Sequence, residues 1–93
     1  MRHYELTVIL PLEEDLSKAG REQLLADLSA QGAEIEKTDE VGDRDFAYEI
    51  KKRRRGRYVL FTLKLDPAKV AVLDRTFKLN ANLLKYLFVN SEE

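Results

Sequence analysis

From Arg2 to Leu10 the chain alternates. Tyr4, Leu6, Val8 and Leu10 fall on one face, and His3, Glu5, Thr7 and Ile9 on the other. Period-two alternation rich in β-branched and aromatic residues predicts a strand. Pro11 ends it, because proline cannot donate to the ladder. From Glu13 to Gln31 the period changes. Leu16, Leu24 and Leu28 make a helical stripe flanked by Ala19, Gly20 and Gln23. Glu13, Glu14 and Asp15 crowd the helix start, where the dipole favours anions. Gly32 follows where a left-handed cap is needed.

Ala33 to Ile50 reads as one long extended region. Ile35 and Val41 occupy odd positions, then Phe46, Tyr48 and Ile50 even ones. The phase slips near Gly42, which predicts a bulge or bend, because a one-residue slip otherwise turns every side chain to the opposite face. Residues 51–57 are expected to form the hairpin connection. Tyr58 to Leu65 is the next strand, with Val59, Phe61, Leu63 and Leu65 on one face. Asp66-Pro67 predicts a helix start, an acidic cap followed by proline in the first turn. Val70, Leu73 and Phe77 are its stripe, and Asn80 and Asn82 mark the next turn. Leu83 to Val89 is a last strand whose only charge is Lys85.

Strand, helix, strand, strand, helix, strand is the split α+β pattern of a ferredoxin-like fold. Two right-handed crossovers then place both helices on one face of a four-stranded antiparallel sheet. The opposite face keeps Ile9, Ala47, Tyr58 and Leu60 and offers a docking surface. The 93 residues are too few for two cores, so a single domain over 1–93 with a basic hairpin is expected.

Composition narrows the chemistry. There is no cysteine, which excludes disulfides and thiolate chemistry, and the lone His3 cannot make a metal cluster. No apolar run reaches the roughly 18 residues of a membrane helix. Met1 to Leu10 carries Arg2, His3 and Glu5 and lacks a signal-peptide pattern. A cytoplasmic protein is the expectation.

The net charge of −1 conceals an asymmetry. Lys51, Lys52, Arg53, Arg54, Arg55 and Arg57 hold six of the 16 basic residues within seven positions. Without them, ten basic residues face 17 acidic ones, a balance of −7. A short cationic stretch on an acidic body is a local anion site. A polyanion relieves its self-repulsion and gives up counterions, and arginine adds planar bidentate contacts to phosphate. Tyr58, just beyond the run, is placed to stack on a base. Nucleic acid is therefore the expected partner class.

Competing chemistries are weaker. Arg55 to Phe61 echoes the third-strand motif of a single-strand RNA-recognition fold, but one aromatic position is missing. Asp39, Glu40, Asp43 and Asp45 lack the loop spacing of a calcium hand. They read as a charged strand edge. Small ferredoxin-like acylphosphatases need a glycine-rich loop with an arginine after the first strand. Here Pro11-Leu12-Glu13-Glu14-Asp15 stands there, the wrong electrostatics for phosphate. No enzyme, cofactor or small-molecule substrate is expected.

Several segments together resemble a known family. They are Met1-Arg2-His3-Tyr4-Glu5, Gly32 to Lys37, Gly42 to Lys51, Gly56-Arg57-Tyr58, and Leu79 to Leu87. In this order and spacing the chain is similar to the bacterial small ribosomal subunit protein six family. The resemblance implies a non-enzymatic, ribosome-associated protein. It implies pairing with small-subunit protein eighteen and binding of small-subunit ribosomal RNA. Under that reading Arg2, Lys51, Lys52, Arg53, Arg54, Arg55 and Arg57 neutralise phosphates, with Tyr58, Asn82 and Lys85 adding contacts. Asp39, Glu40, Asp43 and Asp45 dock the basic protein partner. Two departures stand out: Glu49 occupies the family's usual proline position, and the chain stops four residues after Val89, short of the family's frequent tail. The alternatives are a non-ribosomal RNA-binding or RNA-chaperone domain and a ferredoxin-like small-molecule sensing domain.

Overall fold

The alternating segments pair into one sheet. In the computed structural model, which describes residues 1–91, the elements are β1 (Arg2–Leu10), α1 (Glu14–Ala30), β2 (Glu34–Ile50), β3 (Arg53–Leu65), α2 (Pro67–Phe77) and β4 (Lys85–Asn90). Glu92 and Glu93, the end of the short tail, lie outside the described residues. The sheet order is β2-β3-β1-β4, with every neighbouring pair antiparallel. This is the ferredoxin-like arrangement that the order of patterns predicts.

The register fixes which side each residue takes. Tyr4, Leu6 and Val8 stand opposite Leu63, Phe61 and Val59, and all six are buried with Leu10 against Leu24 and Leu28 of α1 and Leu73 and Phe77 of α2. Phe77 also stacks on Phe88, with ring centroids 6.0 Å apart. Asp66 caps α2 as expected, its carboxylate accepting from the Ala68 N–H at 3.0 Å. Gly32 has φ 75 and closes α1. No β2 residue joins this core, because β2 is an edge strand paired only with β3.

β2 is also irregular. Its register against β3 shifts between Glu40 and Gly42, where the phase slip predicts a bulge, and Gly42 has φ 111, a conformation few L side chains adopt. A larger excursion follows: five steps from Asp45 to Ile50 match only two from Arg55 to Arg53. Phe46, Ala47, Tyr48 and Glu49 therefore bow out opposite Arg54.

The hairpin differs from the expectation. The connection is only Lys51-Lys52, both with positive φ (49 and 65), which is the twist a two-residue hairpin requires. Arg53 to Arg57 belong to β3. Gly56 is not a turn residue but a buried strand position, where an added Cβ would lie 2.6 Å from both Ile9 Cγ2 and Phe46 Cζ. Charge marks a segment as solvent-facing, yet alternating arginines extend a strand as readily as they make a loop.

Candidate nucleic-acid interface

Because residues 53–57 form a strand, the basic run is sorted by side. Arg57 stands opposite Leu10, so Arg53, Arg55 and Arg57 lie on the helix-facing side. Arg54 lies on the open side with Tyr58. The three helix-facing arginines all meet carboxylates. Arg53 Nη1 donates to Glu13 Oε1 at 2.6 Å, and Arg57 donates to Glu14 at 2.8 Å and to Asp43 at 3.1 Å. Arg55 Nε lies 2.7 Å from Asp45. The acidic start of α1 thus serves its dipole and also receives two arginines from β3. Hydrogen bonding from Arg53 holds the Glu13 carboxyl below the usual carboxylate range, and raises the Arg53 pKa in turn.

The four acidic residues assigned to a protein partner are engaged as well. Glu40 takes two hydrogen bonds from Arg21, at 2.7 and 2.9 Å, which lower its pKa. Asp39 lies 3.6 Å from Lys37 Nζ, and Asp43 and Asp45 are held by Arg57 and Arg55. They line the sheet edge as counter-charges rather than as a bare acidic patch.

Of the basic run, Lys52 and Arg54 make no hydrogen bond or ion pair with any described residue. Lys51 donates to the backbone carbonyl of Leu83 at 2.8 Å, tying the hairpin to the chain ahead of β4. Arg53 pins the other side to Glu13, so the arm is anchored twice.

The open side is defined by pairing across the sheet. One row runs Lys85, Ile9, Tyr58, Gly42, and the next runs Leu87, Thr7, Leu60, Asp39. Lys85 and Tyr58 thus flank Ile9, as the assignment of both to one interface requires. Tyr58 packs on Phe46, ring centroids 6.2 Å apart. Ile9 is only 5% exposed although it faces away from the helices, because these neighbours cover it.

Arg2 and Asn82 stand elsewhere. Arg2 pairs with Leu65 at the end of β1 opposite Leu10, about 26 Å away at roughly 3.3 Å per residue. Asn82 sits in the loop after α2. Its N–H donates to the Asn80 side chain, and its carbonyl crowds Gly20, where a Cβ would lie 2.3 Å away. Two residues beside the arm escaped the sequence reading: Arg44, opposite Gly56, and Tyr48, 68% exposed. The even spacing of Phe46, Tyr48 and Ile50 already signalled the second; nothing in composition singled out the first.

On the outer strand β4, the Tyr86 hydroxyl donates to the Asp74 carboxylate and so fastens β4 to α2. Burial, then Asp74, pushes the Tyr86 pKa up to about 12. Among the described residues no group of three or more His, Asp or Glu is placed to hold a metal, and no helix is long and apolar enough to cross a membrane.

The family model described as Ribosomal protein S6 matches residues 3–90. The chain belongs to the ribosomal protein S6 family. It is 50% identical over 93 residues to small ribosomal subunit protein bS6 of Treponema denticola, covering all of both chains. It is 43% identical to bS6 of Halalkalibacterium halodurans, again over the whole of both. In structure it is similar to 30S ribosomal protein S6 of Thermotoga maritima, with TM-score 0.83 and 23% identity over 96% of this chain and 86% of that one. A chemotaxis kinase CheA P2 domain from Thermotoga maritima shares the fold alone, with TM-score 0.64 at 15% identity over 96% of each chain. Members of the S6 family are constituents of the small ribosomal subunit and so of the ribonucleoprotein that carries out translation. The fold alone does not specify such a role; the family assignment does.

Proposed function

We propose that this S6-family protein acts in assembly of the small subunit. It binds small-subunit ribosomal RNA through the β2–β3 arm, and it does so together with small-subunit protein eighteen, on ribosomes in the cytoplasm. The observation that carries the RNA reading is the gathering of unpartnered Arg54, Arg44 and Lys85 with the half-buried Phe46 and Tyr58 rings at one end of the open face, next to unpartnered Lys52 at the hairpin turn. Cations fix position on the phosphates, and RNA shape selects the site. Lys51, Arg53, Arg55 and Arg57 contribute where phosphate replaces their internal partners. Arg2 and Asn82 contribute from separate surfaces.

The protein pairing rests on charge. Outside the basic run the chain is acidic, so RNA repels much of its surface. A basic partner along the outer edge of β2 offsets the acidic body and adds its own cations beside the arm, and it meets Asp39, Glu40, Asp43 and Asp45 where it replaces their internal cations. Coupling of this kind is typically about 5–150-fold and is reciprocal. The test is titration of a small-subunit central-domain RNA fragment with this protein, with protein eighteen, and with both. The pair is expected to bind within that range more tightly than this protein alone. Equal affinity contradicts the pairing, and the absence of salt-dependent RNA binding contradicts the RNA role.

A further inference from the structure

The bowed segment of β2 builds a cavity that neither the fold nor the ion pairs require. It has a volume of about 150 Å³ and is lined by Ile9, Phe46, Tyr48, Ile50, Tyr58 and Lys85. Asp45 also borders it, and that carboxylate is taken by Arg55. Phe46 and Tyr58 pack on one another. Tyr48 meets no other ring among the described residues and is 68% exposed. The same tyrosine lines a second hollow of about 300 Å³ with Phe46, Ala47, Glu49 and Arg54. Each hollow therefore has an aromatic wall and a cation with no partner among the described residues, Lys85 in one and Arg54 in the other.

We propose that the smaller cavity is a base pocket: it takes one unpaired, extruded nucleobase of the RNA, with Lys85 and Arg54 meeting the phosphates on either side of that nucleotide. This rests on the RNA reading above and sharpens it from a phosphate-binding arm to a site that selects a bulged or looped nucleotide. The chemistry argues for a base over an aliphatic side chain. Every base presents a π-face to the aromatic walls, and each nucleotide brings the anion that the two flanking cations lack. Bases within a duplex are stacked away from such a pocket, so sequence-specific contacts to RNA fall on loops and bulges. Tyr48 is the residue on which the distinction turns, because its exposure leaves it free of any role in the core.

The experiment compares two RNAs in direct binding at low salt: a duplex with a single unpaired nucleotide, and the same duplex without it. The unmodified protein is expected to prefer the bulged RNA, within the roughly 5–150-fold that one stacked base is worth. Tyr48→Ala is expected to erase that preference and leave affinity for the plain duplex unchanged, while Tyr48→Phe keeps it. Unchanged thermal melting of both variants confirms that the fold is intact. Equal binding of both RNAs by the unmodified protein, or equal loss of both in Tyr48→Ala, overturns the base pocket and leaves the phosphate-binding arm standing. If neither RNA binds, the RNA reading falls and the pocket with it. If Tyr48→Ala leaves both RNAs untouched but weakens a protein partner, the cavity holds a side chain and the proposal is overturned.

Discussion

The two sides of the sheet use the same strands for different ends. On the helix-facing side β1 and β3 give Tyr4, Leu6, Val8, Val59, Phe61 and Leu63 to the core, and the charges beyond them close into ion pairs with the start of α1 and with β2. On the open side, Arg54, Arg44 and Lys85 stay unpartnered around Tyr58, Phe46 and Tyr48, and Lys52 stays so at the hairpin turn. Six cations in seven positions look uniform along the chain, yet the pleat divides them. A charge already paired inside the protein must give up its partner before it meets a phosphate; an unpaired one need not. Recognition is thus expected on the open side and stability on the other.

The largest effect should separate the sides by burial. Phe61 is 1% exposed among the helices, whereas Leu87 is 58% exposed on the open side. Phe61→Ala should cost about 3–5 kcal/mol in denaturant melts, and Leu87→Ala no more than about 0.5 kcal/mol. Equal costs would mean that the open side carries a core of its own.

A smaller effect marks a tightly packed place on the open side. Gly56→Ala puts a methyl group 2.6 Å from Ile9 and Phe46, so overpacking should cost about 1–3 kcal/mol. Trimming its neighbour in the double variant Gly56→Ala with Phe46→Leu should recover part of that loss. A neutral Gly56→Ala would show that the Phe46 ring swings away freely, which would weaken the case for a formed pocket beside it.

Much of the fold was legible in the sequence because each cue had a local cause. Alternation in β1, the Asp66-Pro67 cap, Gly32 and the slip at Gly42 all act within a few residues, and all are present. The hairpin was misread because its position depends on long-range register. Alternation persists through Arg53 to Arg57, but a run with cations on both sides hides its period. The candidate site was legible by composition and not by side. That Arg53 and Arg57 meet Glu13 and Glu14 depends on the start of β3 lying beside the end of β1, a pairing some forty residues apart that the local pattern does not show. Arg2 and Asn82 were placed by likeness of segments, and the fold sends them to other surfaces.

The central claim is that the open side supplies most of the phosphate contacts and the paired side few, and the salt dependence of binding tests it most directly. Each phosphate contact contributes about 0.7–0.9 to the slope of log K against log salt. In one variant Arg44, Arg54 and Lys85 become alanine. In the other, two internal pairs are neutralised together without altering net charge, Arg53→Gln with Glu13→Gln and Arg55→Gln with Asp45→Asn. The first should flatten the slope by about 2–3 units, and the second by less than about 0.5. A slope that flattens as much in the paired-side variant as in the open-side one would contradict the account.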